Sequence, residues 1–257
     1  MKSLLSAAGA IALLTAAGCS GKADAPAGDM SFESYSYDVV ARYHDIPVEL
    51  PDSSGAFCRL QGYGVLPLRI GDADLTHLRD SLLRLAAIDY TGPRQVHPSP
   101  DAEREITTLN PDSVPACSSA ISRLTLSRVT PDIIVWRNYI YEYPCRAAHG
   151  TYVNTYVNYD VTGARVITLP SLFRDGYAGP LTGLLHEELA QRPDLLEPLD
   201  SIAIPANFEL TADGIRFIYG LYEIAPYSSG EVSVDISGYE LDSLLSADGR
   251  RLILGEM

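Results

Sequence analysis

The sequence predicts an α+β protein in which an antiparallel sheet, or sheets, carries a few helices packed on one face. Segments that alternate apolar and polar residues recur along the chain, as expected of half-buried strands. Two segments place leucines at helical spacing. Strands and helices occupy separate stretches rather than alternating regularly, which favours α+β over a doubly wound α/β fold.

The first elements are two strands and a helix. Residues 32–46 alternate in polarity, with Tyr35 on the apolar face, and residues 62–70 form a second short apolar stretch. Asp74 is a candidate N-cap for a helix over 75–88, whose leucines form one stripe. We expect this helix to cover one face of the sheet.

The middle of the chain predicts a loop and then a meander. Residues 91–115 are rich in Pro, Asp, Ser and Thr, which is typical of a long loop. Residues 121–129 and 133–143 predict two long strands joined by a turn at 130–132, and 151–161 predicts the next strand. Consecutive strands with short connections favour antiparallel pairing.

The last part of the chain predicts short elements. A helix is expected where Pro180 precedes a leucine stripe that ends before Pro193. The remaining predicted elements are strands near 208–210, 214–219, 222–225 and 231–236, and a helix over 239–245.

The N-terminus resembles the export signal and lipid-attachment box of bacterial lipoproteins. Lys2 is followed by an apolar run over 4–14 that is too short to span a bilayer, and Ala-Ala-Gly precedes Cys19. The resemblance implies a signal peptide over 1–18, acylation of Cys19, a flexible tether over 19–30 and a membrane-anchored protein of the cell envelope. An ordinary secretory signal and a short anchor helix are the alternatives.

Composition limits the partners and the chemistry. The formal net charge of −14 disfavours nucleic acid and anionic membrane surfaces and favours a cationic partner, although an acidic surface also serves solubility. The only lysines are Lys2 and Lys22, so the body of the chain offers no lysine for Schiff-base or phosphate-loop chemistry. No cofactor is predicted.

Three cysteines follow Cys19, and they cannot all pair within one chain. Cys117 and Cys145 flank a strand-rich stretch and are the preferred disulfide in an oxidising compartment. One free thiol or no pairing at all are the alternatives. Neither cysteine nor histidine spacing suggests a metal site.

Tyrosine is the conspicuous aromatic residue, with sixteen copies against one tryptophan. Tyr139, Tyr141 and Tyr143 share one face of a predicted strand. Tyr152, Asn154, Tyr156 and Asn158 share one face of another. Interleaved Tyr and Asn suit a glycan or protein ligand, because they combine rigid amphipathic rings with amide hydrogen bonds. The alternative is that the tyrosines only stabilise the sheet across neighbouring strands.

Sequence motifs of catalysis are missing. There is no GxSxG elbow, GxGxxG fingerprint or Asp-rich metal loop. An enzyme acting on envelope glycans would need paired carboxylates, for which Glu187, Glu188 and Glu223 are candidates. We expect Glu223, on a predicted strand between apolar neighbours, to make a buried hydrogen bond instead. A structural or assembly lipoprotein is a third possibility.

The C-terminal half resembles the RsiV-type C-terminal domain in several ordered blocks. Phe208, Asp213-Gly214 and Phe217 belong to the principal block, which spans 207–219. The other blocks are Ala148-His149-Gly150, Asn158-Tyr159-Asp160, Thr162-Gly163, Leu172-Phe173, the segment 222–227 with Gly230, and the segment 232–245.

This resemblance implies an extracytoplasmic α+β domain over 146–257, preceded over 31–145 by a region similar to the N-terminal module of PdaC. It also implies a protein ligand similar to lysozyme, or a peptidoglycan ligand. The Asp-rich and paired-His motifs of the deacetylase catalytic domain do not occur in this sequence, so we expect no deacetylase activity. We therefore expect a non-catalytic binding module. Its candidate ligand-binding residues are Tyr152, Asn154, Tyr156, Tyr222, Glu223 and Tyr227.

Overall fold

The computed structural model describes residues 29–43, 57–86, 106–109, 118–144 and 147–255. They form a seven-stranded sheet, a three-stranded sheet and a few short helices, so the predicted α+β class is confirmed. The strands of the large sheet are β1 (Met30–Tyr43), β2 (Phe57–Ile70), β3 (Ile106–Leu109), β4 (Ser118–Val129), β5 (Ile133–Pro144), β6 (Thr151–Asp160) and β7 (Arg165–Val166).

The large sheet is mixed. Its strand order is β3-β1-β2-β4-β5-β6-β7, and β4 through β7 form the predicted antiparallel meander. However, β1 pairs with β3, and β2 with β4, in parallel. Periodicity shows which face of a strand is buried but not which strand lies beside it, so these pairings were not predicted. The loop prediction for 91–115 is wrong at β3, and its other residues lie outside the described part of the chain.

Helix α1 (Thr76–Ala86) covers one face of this sheet, as predicted. The Thr76 backbone N–H donates to Asp74 Oδ1 at 3.0 Å, and this bond lowers the pKa of Asp74. The helix buries Leu78, Leu82 and Ala86 against the sheet. Further members of this first core are Tyr35, Leu66, Ile70, Leu124, Ile134, Trp136 and Tyr159.

Two polar side chains of the sheet hold the carboxyl end of α1. Ser122 Oγ donates to the Ala86 carbonyl and Asn138 Nδ2 donates to the Leu85 carbonyl, both at 2.8 Å. A helix leaves its last four carbonyls without helical partners, so these bonds satisfy groups that would otherwise be buried unpaired. They account for polar residues at buried positions of β4 and β5.

The opposite face of the sheet carries the C-terminal layer, which comprises every element after β7. Its elements are α2 (Ala178–Leu189), β8 (Phe208–Leu210), β9 (Gly214–Tyr219), β10 (Val232–Ser237), α3 (Gly238–Leu241) and α4 (Ala247–Gly249). The predicted helix near Pro180 and the strands near 208, 214 and 231 are confirmed. Ile133 and Val135 join the core of this layer, whereas Ile134 and Trp136 belong to the core under α1.

Side-chain amides join the two sheets. Asn158 Nδ2 donates to the Phe208 carbonyl and its Oδ1 accepts from the Leu210 N–H, each at 2.8 Å. Asn207 binds the β6 backbone on both sides in the same way, at Tyr156 N and Asn154 O. Each amide replaces a backbone ladder bond, which fixes the C-terminal layer against β6.

Two predictions from the sequence lie at the edge of the described residues. Strands β4 and β5 pair down to Ser118 and Pro144, which are the chain neighbours of Cys117 and Cys145. Both cysteines lie outside the described residues, so the disulfide stays a prediction. The large sheet also continues through β6 and β7, across the predicted domain boundary at 145/146, and that boundary likewise stays a prediction.

Alkaline pH should weaken the fold through Tyr219. Its hydroxyl donates to the Ala203 carbonyl at 3.1 Å, and burial, with a smaller contribution from Glu223, raises its pKa from 10.0 to about 12. The folded state therefore favours the protonated phenol, and this contribution to stability is complete below pH 10.0 and lost as pH rises towards about 12.

A Tyr219→Phe variant removes the titrating group. At neutral pH it should lose about 1 kcal/mol of unfolding free energy with the hydrogen bond. Above pH 10.0 its stability should fall less steeply than that of the parent chain. Urea unfolding measured at several pH values checks both effects, and identical slopes for the two proteins would contradict the assignment.

Candidate ligand-binding surface

The tyrosine stripes of β5 and β6 lie on the same side of the sheet. Tyr141 pairs directly with Tyr152, and Tyr139 pairs with Asn154. The rings of Tyr139 and Tyr152 approach to 5.9 Å between centroids. Because side chains alternate along a strand, this is also the side on which Ile133 and Val135 contact the C-terminal layer.

The C-terminal layer brings two more tyrosines to this place. Tyr227 donates its hydroxyl to the Gly150 carbonyl at 2.7 Å, and its ring stacks on His149 at 4.0 Å. Tyr222 lies 5.6 Å from Tyr227 between ring centroids and is 54 % exposed. We call the resulting cluster the tyrosine surface. It consists of Tyr139, Tyr141, His149, Tyr152, Tyr222 and Tyr227.

The environment of the tyrosine surface favours the protonated form of Tyr227. Desolvation, followed by the neighbouring tyrosines, raises the pKa of Tyr227 above its ordinary value. The raised pKa therefore extends into the alkaline range the protonated state in which the phenol donates to the Gly150 carbonyl.

Two glycines allow the aromatic side chains to approach the backbone. A Cβ atom on Gly150 would lie 2.4 Å from the Tyr141 ring, and one on Gly230 would lie 3.0 Å from the Tyr152 hydroxyl. Gly230 also has a φ of 70°, which favours glycine. Both belong to blocks of the resemblance noted from the sequence, and the structure gives those blocks a role in assembling the surface.

Asn154 is a predicted ligand-binding residue, but its side chain is buried. It is 5 % exposed, and its backbone N–H and side-chain amide both donate to the Glu231 carboxylate. Its Oδ1 accepts from Arg137 Nε at 2.7 Å. Asn154 therefore holds Glu231 and Arg137 in place beside the tyrosine surface.

Tyr156 belongs to the same stripe as Tyr152, but the C-terminal layer covers it. It is half-buried and packs against the core of that layer. Burial, followed by the charge of Glu209, raises the pKa of Tyr156. The structure thus separates Tyr156 from Tyr152, Tyr222 and Tyr227, which it brings together.

The predicted strand over 222–225 is wrong, since these residues form a turn after β9. The Glu223 N–H donates to the Gly220 carbonyl at 3.2 Å, and Glu223 Oε2 accepts from the Gly220 N–H at 2.7 Å. Glu223 is exposed rather than buried, so its carboxylate closes a surface turn. Tyr222 has a φ of 63°, an unfavourable value for a tyrosine, and such strain often marks a functional position.

The described residues give little support to the alternative that the protein is an enzyme acting on envelope glycans. Glu187 and Glu188 are exposed on α2, and Glu223 is bound within its own turn. Within the described ranges, no group of three or more His, Cys, Asp or Glu side chains could hold a metal ion. Acid–base catalysis by these carboxylates stays a prediction.

No helix in the described part of the chain is both long and apolar enough to cross a bilayer. Cys19 and the predicted signal peptide precede the first described residue, Asp29. Lipid attachment therefore stays a prediction from the sequence.

The fold and one segment of the chain are similar to proteins of a family without an assigned function. Residues 170–238 match DUF3298, which is described as a protein family of unknown function. The match lies within the C-terminal layer and includes α2, β8, β9 and β10. Among curated proteins, no sequence matches the chain. The finer RsiV and PdaC resemblance stays a prediction.

Two crystal structures share the fold. A DUF3298 family member from Bacteroides fragilis NCTC 9343 is 21 % identical, with a TM-score of 0.60, over 86 % of this chain and 95 % of that one. A DUF3298 family protein from Pseudomonas aeruginosa PAO1 is 14 % identical, with a TM-score of 0.58, over 86 % of this chain and 97 % of that one. Both alignments extend well beyond 170–238, so the two-layer architecture as a whole recurs in these proteins.

Proposed function

We propose that this chain is a lipid-anchored lipoprotein of the bacterial cell envelope whose body binds a cell-wall glycan without catalysing a reaction. The observation that supports it is the convergence of five tyrosines and His149 on one partly exposed surface. The apolar face of a sugar ring packs on aromatic rings, while phenol hydroxyls bind its hydroxyl groups. Anchoring rests on the N-terminal sequence that ends at Cys19.

A cationic protein similar to lysozyme is the second candidate ligand. The net charge of −14 favours it, because opposite charges accelerate association and add complementarity. Binding of this kind should weaken steeply as salt increases, whereas stacking of sugars on tyrosine should be nearly independent of salt. Salt dependence therefore separates the two ligands.

The test uses the purified full chain, titrated calorimetrically with soluble peptidoglycan fragments, with chitohexaose and with lysozyme. The variant is Tyr222→Gly, which removes an exposed ring and also relieves the positive φ of 63°. Stability should be unchanged or higher, while glycan affinity should fall about tenfold with the loss of one stacking contact.

Tyr239→Ala is the matched control. Tyr239 is 90 % exposed but lies on α3, outside the tyrosine surface, so its removal should leave glycan affinity unchanged. The glycan proposal fails if no glycan binds saturably, or if both variants weaken binding equally. Saturable, salt-sensitive binding of lysozyme alone would replace the glycan by the protein ligand.

A further inference from the structure

We infer that the glycan is acidic and carries carboxylates, and that it lies along a row of residues that extends the tyrosine surface across the large sheet. This inference rests on the proposed function and specifies its ligand. The row runs through three neighbouring strands, with Tyr63 on β2 paired to Arg123 on β4, which in turn pairs to Tyr139 on β5.

The row places a guanidinium group between two aromatic rings. Arg123 Cζ lies 5.8 Å from the centroid of the Tyr63 ring and 5.6 Å from that of Tyr139. Both distances lie within the range of cation–π attraction. The two tyrosines stand two strand spacings apart, about 10 Å, with the charge between them. Arg123 is thus oriented before any ligand binds, which lowers the entropy lost on binding.

The row is open to solvent. Tyr63 is 47 % exposed, and Arg123 is also exposed. On the opposite face of the same strands, Gly64 and Leu124 are buried under α1. One face of these strands therefore supports the core while the other offers rings and charge to a ligand.

Arg123 and Arg137 carry charges that no carboxylate balances within the described structure. Among the described residues, Arg123 contacts the rings of Tyr63 and Tyr139. Arg137, on the neighbouring strand, donates to the neutral Asn154 Oδ1. Arg128 and Arg174 donate to backbone carbonyls instead. Seven further arginines of the described residues pair with Asp or Glu. They are Arg69, Arg79, Arg165, Arg192, Arg216, Arg250 and Arg251.

The sequence makes this pairing pattern informative. The chain holds 33 acidic against 19 basic residues, so an arginine would ordinarily find an acidic neighbour. The strand pairs on either side of the row, Ile121 with Tyr141 and Thr125 with Arg137, contain no acid. Glu231 lies beside the tyrosine surface, where Asn154 binds its carboxylate. Around Arg123 the row therefore favours an anionic ligand over a cationic one.

The chemistry of the row selects a carboxylated glycan over other anions. A planar guanidinium binds a carboxylate through two parallel hydrogen bonds, and the flanking rings bind the adjoining sugars. A nucleic acid strand would also stack on tyrosine, but its dense phosphate charge is repelled by a chain of net charge −14. Isolated carboxylates spaced along neutral sugars meet less of this repulsion.

The test compares an oligogalacturonate with its fully methyl-esterified form, which has the same backbone without the charges. Titration of the full chain should show the acid binding at least tenfold more tightly than the ester at low salt. Arg123→Gln should reduce that ratio about tenfold, because one charge-assisted contact is lost. Arg69→Gln is the control, since Arg69 is an exposed arginine of β2 that pairs with Asp29, and the ratio should not change.

The possible failures can be told apart. Equal binding of acid and ester, or equal effects of the two arginine variants, overturns the acidic ligand and leaves the tyrosine surface as a site for neutral glycans. Preferential binding of single-stranded DNA over the oligogalacturonate overturns the choice of a glycan. If neither the acid, the ester nor chitohexaose binds, the proposed function itself fails.

Discussion

Replacing Asp160 with alanine should lower the free energy of unfolding by about 3 kcal/mol or more. Asp160 is fully buried at the end of β6. Its Oδ2 lies 2.5 Å from Arg251 Nη2, and its Oδ1 accepts from the Gly163 N–H at 2.9 Å. Without the carboxylate, Arg251 loses its buried partner and the Gly163 N–H in the turn after β6 loses its hydrogen bond.

Asp248→Ala is the matched control. Arg165 and Arg251 both lie beside Asp160. Asp248 contacts the same two arginines, since it pairs with Arg165 and lies 4.0 Å from Arg251, but its side chain is 46 % exposed. Removing its charge should cost less than about 1 kcal/mol, as for other exposed ion pairs. Urea unfolding followed by the fluorescence of Trp136, the single tryptophan, measures both variants. Similar losses for the two would show that burial of Asp160 does not govern its contribution.

Gly214→Ala should destabilise the fold by about 3 kcal/mol. A Cβ atom at this position would lie 2.1 Å from the Ile236 carbonyl oxygen and 2.8 Å from the Gly238 nitrogen. Both atoms belong to the backbone, so the contact cannot be relieved by a side-chain rotation. The strands β9 and β10 would have to separate, with loss of the bond between Gly238 N–H and the Asp213 carbonyl.

The same substitution at Gly183 should have the opposite sign. Gly183 is exposed within α2, and a Cβ atom there would meet nothing within 4 Å. Alanine in a helix interior is favoured over glycine by about 0.5–1 kcal/mol, so Gly183→Ala should stabilise the protein. Thermal unfolding of the two variants checks the contrast. A Gly214→Ala protein as stable as the parent chain would show that β9 and β10 can separate at little cost.

Local patterns predicted the elements well where one short segment decides them. The turn between β4 and β5 follows from the turn residues 130–132 between two alternating strands. Asp74 indicated the start of α1 because its side chain binds the first turn of the helix. The parallel neighbours of β1 and β2 depend on chain segments far apart in sequence, and no local pattern reports them.

The candidate site was predictable only in part, for the same reason. The tyrosines of β5 and β6 were visible as two stripes, but their meeting on one side depends on the pairing of Tyr141 with Tyr152. Tyr152 and Tyr156 look equivalent in sequence, and only the position of the C-terminal layer distinguishes them. Tyr139, Tyr141 and His149 were therefore missing from the predicted set.

Two other features of the structure, the turn at 222–225 and the position of Arg123, could not be predicted from the sequence pattern. Tyr222 to Ala225 reads as an apolar stretch, but only Ile224 and Ala225 are buried, and these are neighbours rather than alternate residues. Arg123 reads as an ordinary charged residue on the exposed face of a strand. Its position between two tyrosine rings depends on the register of three strands, which periodicity does not specify.

Side chains of β5 alternate between the two cores, and this alternation determines how precisely the residues of the binding row are positioned. Ile133 and Val135 fit one core while Ile134 and Trp136 fit the other, so a slip of one residue would exchange the contents of both cores at once. Tyr139 lies three residues further along the same strand and is half-buried. The first half of β5, which is packed into two cores, thus fixes the register of the second half. The positions of the binding residues are therefore set by core packing elsewhere on the strand.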